Sequence, residues 1–147
     1  MQLIKIASFV AGLALSVTAL AQVKVSEPWV RGTVAPQKVT GAFMELSAEQ
    51  DVRLVQVKSS VAGNAEIHEM KMDNNVMKMQ AIESLPIAAG KSLSLKPGSY
   101  HIMLFDLNKT LANDEQVPIT LVFEDKAKKR FNIDVKAVVK PLAMKAH

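Results

Sequence analysis

The stretch His68-Glu69-Met70-Lys71-Met72-Asp73-Asn74-Asn75-Val76-Met77-Lys78-Met79 decides how this chain folds. Its polar centre supplies Asp and Asn, which tolerate positive φ, between two runs in which soft side chains alternate with charged ones. A β-hairpin follows. A loop centred between Asp73 and Asn74 predicts Met70 opposite Met77 and His68 opposite Met79, with opposed Cβ atoms roughly 5 Å apart. A one-residue shift of the loop would oppose Met70 to Met79 instead. Period-two alternation places His68, Met70, Met72, Met77 and Met79 on one face and Glu69, Lys71, Lys78 and Gln80 on the other. The second face is solvent, with Glu69 opposite Lys78, while the first is soft and rich in sulfur.

On either side of this hairpin the pattern is the same. No segment after residue 22 sustains a 3.6-residue apolar period, and short alternating or β-branched runs recur between turn signals. Strands are predicted near 23–31, 40–47, 51–59, 64–72, 75–82, 91–96, 99–107, 116–124 and 130–139. Turns such as Ala62-Gly63-Asn64, Ala89-Gly90-Lys91, Lys96-Pro97-Gly98 and Glu124-Asp125-Lys126 separate them. An all-β sandwich or barrel is expected, as one domain over residues 22–140, with 141–147 as a flexible tail.

Before that domain, residues 1–21 read as a signal peptide. Lys5 precedes an apolar run from Ile6 to Val17, and Ala19-Leu20-Ala21 fits the small-x-small cleavage rule. The run is too short to span a bilayer comfortably, so cleavage after Ala21 and export to the periplasm are expected, with no membrane insertion afterwards. The sequence holds 18 Lys+Arg against 14 Asp+Glu in 147 residues, a net charge of +4, and no Cys. Zero Cys excludes a disulfide framework, a thiol nucleophile, Cys zinc sites and a blue-copper centre. The basic residues carry no aromatic platform, so nothing supports nucleic-acid binding. Nor is a Ser-His-Asp spacing, paired-carboxylate motif or phosphate-cradling glycine loop evident, so the chain does not read as an enzyme.

What remains is an uneven distribution of His and Met. His68, His101 and five methionines fall between 68 and 103. His101 and Met103 stand two apart on a predicted strand and project together, near the strand end that Pro97-Gly98 creates at the sandwich rim. Taken singly, a Met on a strand is usually core and a His is usually hydrogen-bonded surface. Taken jointly, two imidazoles and two thioethers without a thiolate form a soft, neutral donor set suited to Cu(I), or to Ag(I) as its mimic. Thioethers bind without losing a proton, which suits an ion that is to be handed on.

These residues resemble the PCuAC-type periplasmic copper chaperones, whose motif is a His, ten residues, a Met, twenty-one residues, then His-x-Met. His68, Met79, His101 and Met103 meet it without insertion, and Met70 takes the accessory position beside the first His. Pro28-Trp29-Val30-Arg31, Gly41-Ala42-Phe43-Met44-Glu45-Leu46 and Lys96-Pro97-Gly98-Ser99-Tyr100-His101 extend the likeness. Ser99 stands where a second turn glycine is usual, and Asn113-Asp114-Glu115 replaces a glycine. The resemblance implies a cupredoxin-like Greek-key β-sandwich holding Cu(I) through His68, Met79, His101 and Met103. It implies delivery of copper to the dinuclear centre of cytochrome c oxidase subunit II, directly or through a thiol-containing assembly factor, by a monomer. A second copper, as Cu(II), is implied at a Met/His-rich tail in some members; Met144 and His147 are the accessory donors this short tail offers, and a disordered end is the plainer reading of it. Storage or resistance, electron transfer, and a structural sandwich with a Met-rich core are the alternatives.

Overall fold

A computed structural model describes residues 22–141. The predicted signal peptide and the tail residues Met144 and His147 lie outside them. Among the described residues there is no helix, and ten strands form the fold: β1 (Val23–Arg31), β2 (Thr40–Ala48), β3 (Val52–Lys58), β4 (Ala62–Asp73), β5 (Val76–Ile82), β6 (Leu85–Ile87), β7 (Ser92–Leu95), β8 (His101–Leu107), β9 (Gln116–Asp125) and β10 (Arg130–Lys140).

The strands run in the order β5-β4-β8-β2-β1-β10-β9-β3-β6, with β7 also paired to β2. Only β1 with β10 is parallel. The sheet encloses one core, to which Leu46, Ile102 and Leu104 contribute from one half and Leu54, Ile119, Leu121 and Phe123 from the other. The all-β expectation therefore holds. Nine strands were predictable; the tenth, Leu85-Pro86-Ile87, pairs with β3 at the sheet edge, where a proline costs no ladder hydrogen bond.

Two irregularities position the site. The first is in β1, where Ser26 pairs with Glu45 but Trp29 pairs with Phe43, one extra residue being accommodated at Glu27-Pro28 with Glu27 at φ 50°. Val23 and Val25 pack on the core, and after the bulge it is Val30 that faces inward, so Trp29 is turned to the outer face beside Phe43. The second is an interruption on one edge of β2. There β7 pairs with Met44–Ser47 and β8 with Thr40–Ala42, and the turn between them starts β8 at His101.

The hairpin register differs from the expected one. Met70 pairs with Met79, Met72 with Met77 and His68 with Ala81, so neither Met70–Met77 nor His68–Met79 is a pair. The reason lies in the loop, which is the two residues Asn74-Asn75 and not Asp73-Asn74. Both have positive φ, 48° and 65°, as a type I′ turn requires. The shift leaves the parity intact, so the soft and charged faces are those expected, although Glu69 now meets Gln80.

Candidate metal centre

Strand β8 sets the geometry. Ile102 and Leu104 point into the core and are fully buried, so alternation sends His101, Met103 and Phe105 to the opposite face. His101 opposes His68 on β4, and Met103 opposes Glu66 there and Gly41 on β2. The expected rim position is thus refined: the donors stand at a strand end but on the outer face of the sheet.

A line of rings crosses this face. His68 and His101 have centroids 5.7 Å apart, Phe43 lies 6.4 Å from His101, and Trp29 lies 4.5 Å from Phe43. The guanidinium of Arg31 sits 5.5 Å from the Phe43 centroid and Lys140 sits 5.2 Å from Trp29, capping the line with cations. Gly41 is needed for this arrangement, because a Cβ there would come within 2.8 Å of the Phe43 ring.

The turn before β8 orients His101. Gly98 at φ 82° lets Ser99 donate to the Lys96 carbonyl, and Lys96 donates to the Tyr100 carbonyl. The Ser99 carbonyl then accepts a hydrogen bond from His101 Nδ1 at 2.8 Å. A backbone carbonyl serves here, so the serine in place of glycine leaves this hydrogen bond available. Because that bond uses the Nδ1 proton, Nε2 of the neutral ring carries a lone pair. It faces the Met79 sulfur at 2.9 Å. On a flat sheet β5 would lie about 10 Å from β8, so both long side chains lean over β4 to meet. Two soft donors are thereby brought together on the outer face.

Met70, Met79, His101 and Met103 line one open cavity of about 330 Å³, with Arg31 and Phe43 on its far wall. His68 is not among its lining residues. It is 8% exposed, its Nε2 meets the Glu66 carboxylate at 2.7 Å, and its Nδ1 is buried without a partner. With Nε2–H donated to Glu66, Nδ1 is left as an unsatisfied acceptor, which costs stability unless a ligand takes it. Glu66 is a residue the sequence reading missed. Its signal was available, since a residue two before His68 on the same strand shares its face.

Met79 is 51% exposed, Met72 59% and Met77 48%, whereas Met44 is buried in the core. A structural Met-rich core would bury the former. Among the described residues no group of three His, Cys, Asp or Glu could hold a metal, and the soft donors lining the cavity are the His101 imidazole and the thioethers of Met70, Met79 and Met103. They fit a soft monovalent ion and do not fit zinc or calcium.

Fold and donors together define a cupredoxin-like β-sandwich with a soft patch on its outer face. The chain belongs to the LpqE-like family, "Putative lipoprotein LpqE-like", whose pattern matches residues 23–135. It is 32% identical over 115 residues to the uncharacterised protein RP573 of Rickettsia prowazekii, covering 74% of this chain and 64% of that one. It is 34% identical over 106 residues to "Putative lipoprotein Lxx21020" of Leifsonia xyli, covering 70% and 63%. The match thus spans just under two thirds of the length of these relatives.

In structure the chain is similar to the copper-bound PCuAC domain of PmoF2, with a TM-score of 0.65, 23% identity, and coverage of 81% of this chain and 92% of that one. It is also similar to Cu(I)-bound DR1885 of Deinococcus radiodurans, with a TM-score of 0.59, 24% identity, and coverage of 86% and 85%. The expected resemblance to PCuAC domains is therefore borne out, and the fold is theirs.

Proposed function

We propose that this protein is an exported copper carrier that holds Cu(I) as cargo through His68, Met79, His101 and Met103, with Met70 as an accessory donor. The observation that carries this reading is the approach of His101 Nε2 to the Met79 sulfur at 2.9 Å beside an open cavity that Met70 and Met103 also line. His68 Nδ1, buried and unpartnered, is the fourth donor, and Glu66 holds the ring by its other nitrogen. A carboxylate behind a ligating imidazole is a common device for setting tautomer and orientation. The copper in the names of the PmoF2 and DR1885 structures is consistent with this assignment.

Carriage suits the donors better than redox cycling. Neutral His and Met ligands favour Cu(I), and the chain has no Cys to build the thiolate bond of an electron-transfer site. The cavity is open, so ligands of the ion can be exchanged without unfolding the sandwich. On the family resemblance, that acceptor is subunit II of cytochrome c oxidase or a thiol-containing assembly factor in the periplasm. The leader-like residues 1–21 and the lipoprotein name of one relative support export. The sequence has no cysteine for a thioether-linked lipid.

The test is competition of the purified protein against a calibrated Cu(I) chelator, beside a His68→Ala/Met79→Ala variant. One tight equivalent, lost in the variant with the β-sheet circular dichroism unchanged, is expected. A wild type that fails to compete would end the copper reading.

A further inference from the structure

The tip of the β4–β5 hairpin carries two thioethers that the centre described above does not use. Met72 and Met77 oppose each other directly, and both are about half exposed or more. The two-residue Asn74-Asn75 loop makes Asp73–Val76 the first hydrogen-bonded pair, so Met72–Met77 and Met70–Met79 both fall at non-hydrogen-bonded positions. Those are the closer pairs, with Cα atoms about 4.5 Å apart. Four thioethers therefore form two rungs on one face, separated along the strands by about 7 Å. Three rotatable bonds let a methionine sulfur swing across such a gap.

The inner rung runs into the centre, since the Met79 sulfur meets His101 and Met70 lines the cavity. The outer rung ends in water, with Val76 beside it 56% exposed. Burial cannot be the reason for these methionines, because apolar side chains left in water forfeit their transfer free energy. The charges of the tip do not compete for a soft ion, as Asp73 pairs with Lys78 on the opposite face.

We propose that Met72 and Met77 form a low-affinity Cu(I) station through which the ion enters and leaves, passing by Met70 and Met79 to His101 and Met103. This rests on the copper-carrier reading. At each step a thioether lone pair forms a new Cu–S bond before an older one breaks; copper stays Cu(I), and no proton or electron moves. A station on the path changes the rates of uptake and release together, and leaves their ratio nearly unaltered.

The experiment measures stopped-flow transfer of Cu(I) from the loaded protein to a small sulfonated chelator, in wild type and in Met72→Leu/Met77→Leu. Leucine keeps size and apolarity at exposed positions, so the hairpin is retained, and the small acceptor needs no protein docking surface. Transfer slowed about tenfold with the dissociation constant changed less than about twofold is the expected result, since such effects fall on rates. Separately, Ag(I) added to protein with labelled methionine methyls should shift Met79 and Met103 with the first equivalent and Met72 with Met77 together in the second. Unchanged transfer rates, or Met72 and Met77 methyls that never move, would overturn the proposal while leaving the carrier standing. A parallel loss of affinity would overturn it by making the pair ordinary ligands of the main centre. A wild type that binds no Cu(I) would remove the carrier and the station together.

Discussion

The two faces of β8 carry opposite kinds of chemistry on alternate residues of one strand. Inward, Ile102 and Leu104 join the core and are completely buried. Outward, His101 and Met103 meet Met79, Met70 and a line of aromatic rings beside an open cavity. The inner face gains stability by excluding water. The outer face leaves sulfur accessible and, on the neighbouring strand β4, His68 Nδ1 unpartnered, and gives up burial in exchange for donors. The lesson is that stability and the proposed metal capture fall to different residues, alternating along one strand.

The largest effect should come from breaking the inner face. Leu104→Ala should cost about 2–5 kcal/mol in denaturant unfolding, as cavity-forming core truncations do. The folded fraction should nonetheless bind Cu(I) like wild type. Glu66→Ala tests the outer face at its support: Cu(I) affinity in chelator competition should fall about 10- to 100-fold, the usual cost of losing a carboxylate behind a ligating His. Stability should also fall, by about 1–3 kcal/mol, because the buried His68 ring loses the partner of its Nε2–H.

Asn75→Val places a β-branched residue at φ 65° and should cost about 1–2 kcal/mol, read as a lower unfolding temperature. It should also weaken the Met70–Met79 register that the turn sets, visible as lost cross-strand nuclear Overhauser contacts. The smallest effect concerns β9, in the other half of the sheet. Hydrogen bonding from Arg53 holds the Glu124 carboxyl below its usual value of 4.5, against burial, which pushes it up, and Arg130 adds to the lowering. That stabilisation is present above about pH 4.5, the unfolded value, and is lost as pH falls through the lower folded value. Glu124→Gln should therefore flatten the acid limb of the stability profile without altering Cu(I) binding.

Much of this was legible in the sequence because period-two alternation survives small errors. The loop lies one residue beyond the expected position, yet the faces are unchanged, since both registers keep His68, Met70, Met72, Met77 and Met79 together. The register itself was not legible, because Asp73-Asn74 and Asn74-Asn75 both suit a tight turn. Trp29 could not be assigned to the outer face, as its orientation depends on a bulge that Glu27-Pro28 only hints at. Three residues around Pro86 give too short a signal for a strand. Glu66 was readable from its spacing to His68, but its importance lies in a hydrogen bond that only the folded geometry provides.

The most direct measurement is X-ray absorption at the copper edge of the Cu(I)-loaded protein. The outer-face assignment predicts a mixed first shell of two thioether sulfurs and two imidazole nitrogens, reduced by one nitrogen in His101→Ala. A shell of nitrogen and oxygen alone, or one unchanged by His101→Ala, would contradict it.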